Sequence, residues 1–189
     1  MKELKPAILL FVVFTVICGG IYPAIVTGIA SLLFPGQAGG SLVTSAGGQV
    51  LGSSLIGQPF TDAKYFWPRP SATAEFSYDP MNSGGSNLGP TNPDFIKTVA
   101  ARVRTLRDAG SSAPIPVDLV EASGSGLDPH ISTAAAEVQV ARVAAARGMD
   151  EKSLAGLVAS HVEGRQLGVL GQDRVNVLLL NLALDGMKK

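Results

Sequence analysis

The pattern of apolar and polar positions divides the chain into one long apolar run and a mixed remainder. Residues 7–34 contain no charged side chain. Because a helix rises about 1.5 Å per residue, such a run can cross the ~30 Å hydrocarbon core of a bilayer. Gly19, Gly20 and Pro23 interrupt it, and Pro23 is expected to kink the helix because it lacks a backbone N–H. The run predicts a retained membrane-spanning helix, since the apolar part of a cleaved signal is only about 7–15 residues long.

The remainder of the chain alternates short strand-like segments with segments of helical spacing. Residues 49–58 and 117–120 favour short strands. The spacing of apolar residues and the presence of capping residues predict four helices. The first runs from Asn92–Pro93 to Gly110, and the second covers Thr133–Arg147 with Asp128 or Ser132 as its cap. The third runs from Asp150 to Gly164, and the fourth covers 175–184. A buried strand over 175–180 is the alternative for the last segment, where Asn176 and Asn181 need hydrogen-bond partners if they are buried.

The charges that flank the apolar run predict its orientation. The N-terminal amine, Lys2 and Lys5 precede the run, and the next Lys or Arg after it is Lys64. The positive-inside rule therefore predicts a cytoplasmic N-terminus over residues 1–6, a span over 7–34, a linker over 35–48 and an extracytoplasmic globular domain over 49–189. The predicted fold class is mixed α+β, with one N-terminal transmembrane helix and a single domain of a few short strands and three to four helices.

The composition excludes some classes of partner and site. The formal net charge is zero and charged residues make up only 16% of the chain, so no basic surface suggests nucleic acid as a partner. Low charge and a mean hydropathy of +0.29 suit a domain that is partly covered by other subunits. Cys18 is the only cysteine and there are two histidines, which excludes a disulfide within the chain and predicts no metal site.

An aromatic segment over 60–70 and the glycines of the span are the candidate partner contacts. Dense aromatic residues are typical of interface hot spots, although core packing is the interpretation that we favour for Phe66 and Trp67. Small residues in a membrane helix let a second helix approach closely. The interface candidates are Gly19, Gly20, Pro23, Tyr65, Phe66, Trp67 and Arg69.

Two Gly/Ser-rich turns are the candidate functional loops. Their residues are Ser83, Gly84, Gly85, Ser86 and Asn87 in the first, and Ser123, Gly124, Ser125, Gly126, Asp128 and His130 in the second. The spacing of the first loop does not match a phosphate-binding loop, and the serines of the second lack the flanking glycines of a nucleophile elbow. Ser125, His130 and Asp118 can be drawn as a catalytic triad, but a structural turn is the favoured interpretation because proximity in sequence does not provide triad geometry. No catalytic residue is therefore predicted.

Six blocks of this sequence resemble one family, the C subunit of the Kdp-type potassium-transporting ATPase. The blocks are L-G-S-S-L-I-G-Q (51–58), Y-F-W-P-R-P-S-A (65–72), S-G-G-S-N-L-G-P-T-N (83–92), S-G-S-G-L-D-P-H-I-S (123–132), V-x-R-V-A-x-A-R (140–147) and R-V-N-V-L-x-L-N (174–181). The resemblance covers nearly the whole chain.

The resemblance implies a non-catalytic accessory subunit of an ATP-driven potassium uptake complex in the bacterial inner membrane. Its implied partners are a channel-like potassium-binding subunit, a P-type ATPase subunit, a small single-span subunit and the lipid bilayer. The family is described as a catalytic chaperone that raises the ATP affinity of the ATPase subunit. Because the flanking charges place the domain outside, we expect this effect to be indirect, with ATP and potassium handled by the partners and no cofactor bound by this chain.

Two other functions compete with this hypothesis. One is a membrane-anchored extracytoplasmic hydrolase that uses the Ser125/His130 turn. The other is a nucleotide-binding regulator of opposite topology that uses residues 83–87 or 123–126.

Overall fold

The computed structural model describes residues 2–187 and has mixed helix and strand architecture, which confirms the predicted fold class. The chain divides into two compact units at Leu51/Gly52. The first contains the long apolar helix, and the second contains most of the short strands and helices.

The apolar helix of the first unit is continuous over Leu4–Leu33, a length of 30 residues. It consists of α1 (Leu4–Val16), a π-helical segment (Ile17–Ile21) and α2 (Tyr22–Leu33). The Tyr22 N–H donates to the carbonyl of Ile17, five residues earlier. The predicted interruption therefore takes the form of a wider turn immediately before Pro23, whose missing N–H cannot continue the regular ladder.

Residues 35–48, predicted as a linker, carry a one-turn helix α3 (Pro35–Ala38) and strand β1 (Leu42–Thr44). Strand β1 pairs with β2 (Val50–Ser53) in a two-stranded sheet. The strand predicted within 49–58 is therefore present as β2.

A small antiparallel sheet and five helices build the second unit. Its elements are α4 (Pro93–Asp108), a 3-10 turn (Val117–Leu119), β3 (His130–Ser132), α5 (Thr133–Glu137), α6 (Val140–Arg147), α7 (Glu151–Ser160), β4 (Val162–Glu163), β5 (Arg174–Asn176) and α8 (Val177–Gly186). The strand order is β3-β5-β4. Ile131 and Val162 lie opposite Val175 on its two sides, so β5 is the central strand.

Three predicted capping residues lie at the starts of their helices, as expected. The side chains of Asn92, Ser132 and Asp150 accept backbone N–H groups at the starts of α4, α5 and α7, which satisfies donors that a helix start leaves unpaired. Gly148 ends α6 in the left-handed conformation, with φ of 63°.

Two predictions in the middle of the chain were wrong in detail. Residues 117–119 form a 3-10 turn instead of a strand, and Leu119 and Val120 are both buried whereas successive side chains of a strand point to opposite faces. The helix predicted over Thr133–Arg147 is broken at Val138 and Gln139, where the Gln139 side chain turns towards the aromatic segment.

The last two helices also differ from their predicted limits. The third soluble helix ends at Ser160 and not at Gly164, because residues 162–163 join the sheet as β4. The segment 175–184 contains both of the structures proposed for it, since β5 leads directly into α8 and Asn176 caps that helix.

The hydrophobic core lies between the three-stranded sheet and the helices of the second unit. It combines side chains that are distant in sequence, including the fully buried Phe66 from the aromatic segment. Its largest fully buried apolar members are Phe66, Ile131, Val143, Leu154, Val175, Val177, Leu180 and Leu184.

Candidate functional site

The aromatic segment contacts α6 and α8, and two side-chain amides hold its backbone at Phe66 and Trp67. The Phe66 N–H donates to Asn181 Oδ1 at 2.9 Å, and Asn181 Nδ2 donates to the Phe66 carbonyl at 3.0 Å. Gln139 makes the same pair of hydrogen bonds with Trp67, at 2.7 and 3.1 Å. Each side-chain amide takes the place of a neighbouring strand, because it pairs with both the N–H and the carbonyl of one residue. The backbone polar groups of Phe66 and Trp67 therefore have hydrogen-bond partners within the protein.

Two arginines of α6 cover the outer side of the same segment. The Arg142 guanidinium lies 4.0 Å from the centre of the Trp67 ring and donates to the carbonyl of Ala63 at 2.6 Å. Burial lowers the pKa of Arg142 to about 10, so it stays charged at neutral pH. Arg147 lies over Tyr65 and pairs with Asp185 at 2.6 Å.

The three aromatic interface candidates of this segment differ in how much of each side chain is exposed. Phe66 is fully buried and has no surface to offer a partner, as the core interpretation predicts. Tyr65 and Trp67 are half-buried. The Tyr65 hydroxyl donates to Asp185 at 2.9 Å, which raises the pKa of Tyr65 above its ordinary value, with burial and the carboxylate charge adding to the effect.

Arg69, Asp128 and His130 meet in a charged cleft of about 430 Å³. Arg69 Nη1 lies 3.0 Å from Asp128 Oδ2, and His130 Nδ1 lies 3.5 Å from Asp128 Oδ1. The second ring nitrogen of His130 faces Glu163 at 3.5 Å, and Glu163 pairs with Arg174 at 3.0 Å. Arg69, Asp128, His130, Glu163 and Arg174 thus form a chain in which nitrogen-bearing and carboxylate side chains alternate, and all of them except Glu163 line the cleft.

The net effect of this environment is to lower the pKa of Asp128. Burial alone would raise it, but the hydrogen bonds from the side chain and backbone of His130 and the charge of Arg69 outweigh burial. Asp128 is therefore a carboxylate at neutral pH and holds the cleft together as an ion-pair partner.

The two Gly/Ser-rich loops pack directly against each other. The Gly84 N–H and the Ser83 hydroxyl both donate to the carbonyl of Ser125, at 2.9 and 3.0 Å. Gly126 has φ of 68°, and a Cβ placed on it would lie 2.6 Å from the carbonyl oxygen of Gly84. Glycine is required there by backbone conformation and by space.

This packing gives both loops a structural role. Gly84 and Ser83 direct their donors to Ser125, and the Gly126 N–H donates to Ser123, whereas a phosphate site needs such donors to converge on a ligand. Ser86 and Asn87 lie on the exposed side of the first loop, and Gly85 packs close to Gly124.

The residues drawn as a triad are not assembled into one. Asp118 accepts hydrogen bonds from the backbone N–H and the hydroxyl of Ser132, at 2.6 and 3.2 Å. His130 faces two carboxylates, and the Ser125 hydroxyl accepts from the Leu127 N–H at 3.1 Å. The hydrolase alternative is not supported, because its base and its nucleophile have other partners.

In the first unit, Gly19, Gly20 and Pro23 lie on the apolar helix. No residue of that helix is buried, and a Cβ added at Gly19 or Gly20 would meet no atom within 4 Å. Gly19 and Gly20 belong to the π-helical segment. The helix has the length and composition of a membrane span.

Several residues that build the site were not among the sequence candidates. Asn181 was expected to need a partner, but Gln139, Arg142, Glu163 and Arg174 were not singled out. The blocks 140–147 and 174–181 contain two of these four residues, Arg142 and Arg174, and the sequence offered no other signal for them. Across residues 2–187, no group of three or more His, Cys, Asp or Glu side chains is arranged to hold a metal ion.

A 30-residue apolar helix and a compact domain of helices and strands define the general class of this protein. Over residues 2–187 the chain has one candidate membrane span and one compact unit of mixed structure, which is the arrangement of a membrane-associated protein. Residues 4–186 match the family model described as "K+-transporting ATPase, c chain". The chain belongs to this family, the KdpC family.

Relatives of known name agree with this assignment over the full length. The chain is 65% identical to the potassium-transporting ATPase KdpC subunit of Geobacter sulfurreducens over 185 residues, which is 98% of each chain. It is 64% identical to the subunit of the same name from Geotalea uraniireducens over 189 residues, or 100% of each chain. A more distant relative of that name, from Methylococcus capsulatus, is 55% identical over all of both chains.

Proposed function

We propose that this chain is a non-catalytic accessory subunit of an ATP-driven potassium uptake complex, with a role in assembling and stabilising that complex. The observation that carries the proposal is the match to the KdpC family over residues 4–186. The relatives are named as subunits, and the partners are a channel-like potassium-binding subunit, a P-type ATPase subunit and a small single-span subunit. The unburied apolar helix supports contact with lipid and with partner helices.

The second unit is proposed to lie outside the cytoplasm, with the chain in the bacterial inner membrane. Lys2 and Lys5 precede the helix, and residues 34–63 contain no Lys or Arg. This asymmetry favours a cytoplasmic N-terminus. Residues 52–187 are then exposed to the external side.

Any effect on the ATP affinity of the ATPase subunit is proposed to be indirect. An external domain does not meet cytoplasmic ATP, and the donors of the two Gly/Ser-rich loops are used in packing the loops together. The chain itself then binds neither ATP nor potassium. Equilibrium binding of ATP to the purified full chain tests this point: no binding is expected, whereas micromolar affinity would contradict it.

Membership of the complex is tested by purification in mild detergent from cells that also produce the other pump subunits. The tagged full chain should bring down larger multi-span proteins, identified by mass spectrometry as subunits of the same pump. Recovery of the chain alone would contradict the proposed function.

Orientation is tested by cysteine labelling in a Cys18→Ala background. Ser112 is exposed in the second unit and Glu3 is exposed before the helix, so the matched variants are Ser112→Cys and Glu3→Cys, which leave both lysines in place. A membrane-impermeant thiol reagent is expected to label position 112 on the outer face of the inner membrane in spheroplasts, and position 3 only after the membrane is broken. The reverse pattern would overturn the external placement.

A further inference from the structure

Between β4 and β5 the chain forms an ordered hairpin. Gln166 and Leu170 exchange both backbone hydrogen bonds, each at 2.9 Å. Within the turn, the Val169 N–H donates to the Gln166 carbonyl at 3.2 Å, and the Gly168 N–H donates to the Arg165 carbonyl at 3.1 Å. Four backbone hydrogen bonds therefore close the turn without help from its side chains.

The tip of this hairpin exposes three aliphatic side chains together. Leu167 is 90% exposed, Val169 is 71% exposed and Leu170 is 56% exposed. Single exposed apolar residues are ordinary on protein surfaces, but a contiguous group on an ordered projection is typical of an interaction site.

Leu167 is an unfavourable residue for its own backbone conformation. Leu167 and Gly168 have φ of 53° and 76°, and two successive positive φ values are typically found at Asn-Gly or Gly-Gly. A bulky side chain is disfavoured in the left-handed region, where Asn is tolerated. Folding does not account for leucine here, because the side chain is 90% exposed.

The chemistry around the tip favours a protein over a lipid surface. Membrane-binding loops carry aromatic residues at the headgroup level and an excess of Lys and Arg towards anionic lipid. Residues 163–174 contain no aromatic residue, and Arg165 and Arg174 are balanced by Glu163 and Asp173. The aliphatic tip is flanked by these balanced charges. It is therefore complementary to an apolar pocket with a polar rim, which is the usual composition of a protein interface.

We propose that the Leu167–Leu170 tip is an anchor that inserts into an apolar pocket on another subunit of the complex, with Leu167 as its central residue. This inference rests on the proposed function and adds to it the contact by which the folded domain holds its partner. The strain at Leu167 is retained because that side chain is needed outside the domain.

The test uses a variant that should improve the turn while removing the anchor. Leu167→Asn suits the left-handed conformation, so the full chain should resist urea at least as well as the unaltered protein, with the fluorescence of Trp67 as the readout. Combined with Val169→Thr, it should lower the amount of partner subunit that co-purifies by about tenfold. The matched control is Met81→Gln, which removes a side chain of similar exposure (88%) elsewhere in the domain and should not change co-purification.

A second measurement identifies what the tip touches. Leu167→Cys in the Cys18→Ala background, coupled to a benzophenone maleimide and irradiated in the assembled complex, should yield an adduct with another pump subunit, and the Met81→Cys control should not. Adducts with lipid or a second copy of this chain, or none above the control, would overturn the proposal, as would unchanged co-purification of the double variant. If the unaltered chain brings down no pump subunit at all, the proposed function fails rather than the assignment of the tip.

Discussion

Two side-chain amides hold the aromatic segment in the core, and they show how single residues decide the packing of this domain. Asn181 and Gln139 each supply a donor and an acceptor to one residue of extended backbone. The sequence indicates that a polar residue in the apolar run 175–184 needs partners. Only the fold shows that these partners are the backbone atoms of Phe66, 115 positions earlier.

Replacing Asn181 by alanine should destabilise the domain strongly. Asn181→Ala leaves the buried N–H and C=O of Phe66 without partners, and we expect the free energy of unfolding to fall by about 2–4 kcal/mol. Urea unfolding of the detergent-solubilised chain, followed by the fluorescence of Trp67, measures the change. Gln172→Ala, which removes an exposed amide, is the control and should change stability little; equal losses for the two variants would contradict the role of Asn181.

Asp128 gives the stability of the domain a dependence on acid pH. Its pKa is lower in the folded state than the ordinary value of about 3.9, so its ionised form favours folding. This contribution is fully present above about pH 4 and is lost as the pH falls through the folded-state pKa. Asp128→Asn should therefore flatten the decrease of unfolding free energy below pH 4, measured by urea unfolding at several pH values. Gln172→Ala, which removes a neutral side chain from the rim of the same cleft, should leave the decrease as it is in the unaltered chain.

At the scale of elements, the two Gly/Ser-rich loops form one packed unit. Sequence analysis finds each loop separately and considers a ligand for each, because clustered Gly and Ser are common to turns and to phosphate sites. The structure joins them through the donors of Ser83 and Gly84 and the carbonyl of Ser125. Hydrogen bonds between loops 42 residues apart do not follow from local composition, so the pairing was not predictable.

Two glycines of the second loop provide a matched pair of substitutions. Gly126→Ala is expected to lower the free energy of unfolding by about 2–3 kcal/mol, because alanine is strained at this positive φ and its Cβ would meet the Gly84 carbonyl. Gly124→Ala has open space around its Cβ and should be nearly neutral. Thermal unfolding of both variants measures the difference, and similar midpoints would show that the loops do not pack as described.

At the scale of the whole molecule, the apolar helix contributes nothing buried and the core is drawn from the second unit alone. A chain that begins at Gly39 keeps both paired strands and every core residue. It should therefore fold without the membrane helix, with a single cooperative urea transition and the near-ultraviolet circular dichroism of ordered aromatic side chains. An expanded chain with no cooperative transition would show that the domain depends on its anchor.

The sequence by itself determined the features that depend on local chemistry. The apolar run, the starts of α4, α5 and α7, and the family assignment follow from uninterrupted hydropathy, capping side chains and ordered motifs. Only the tertiary structure decided the break at Gln139, the 3-10 turn at residues 117–119 and the strand that precedes α8. The break at Gln139 depends on the backbone of Trp67, the 3-10 turn depends on the buried core, and the strand before α8 depends on the strands beside it. These partners are far away in the chain, and local sequence carries no signal for their positions.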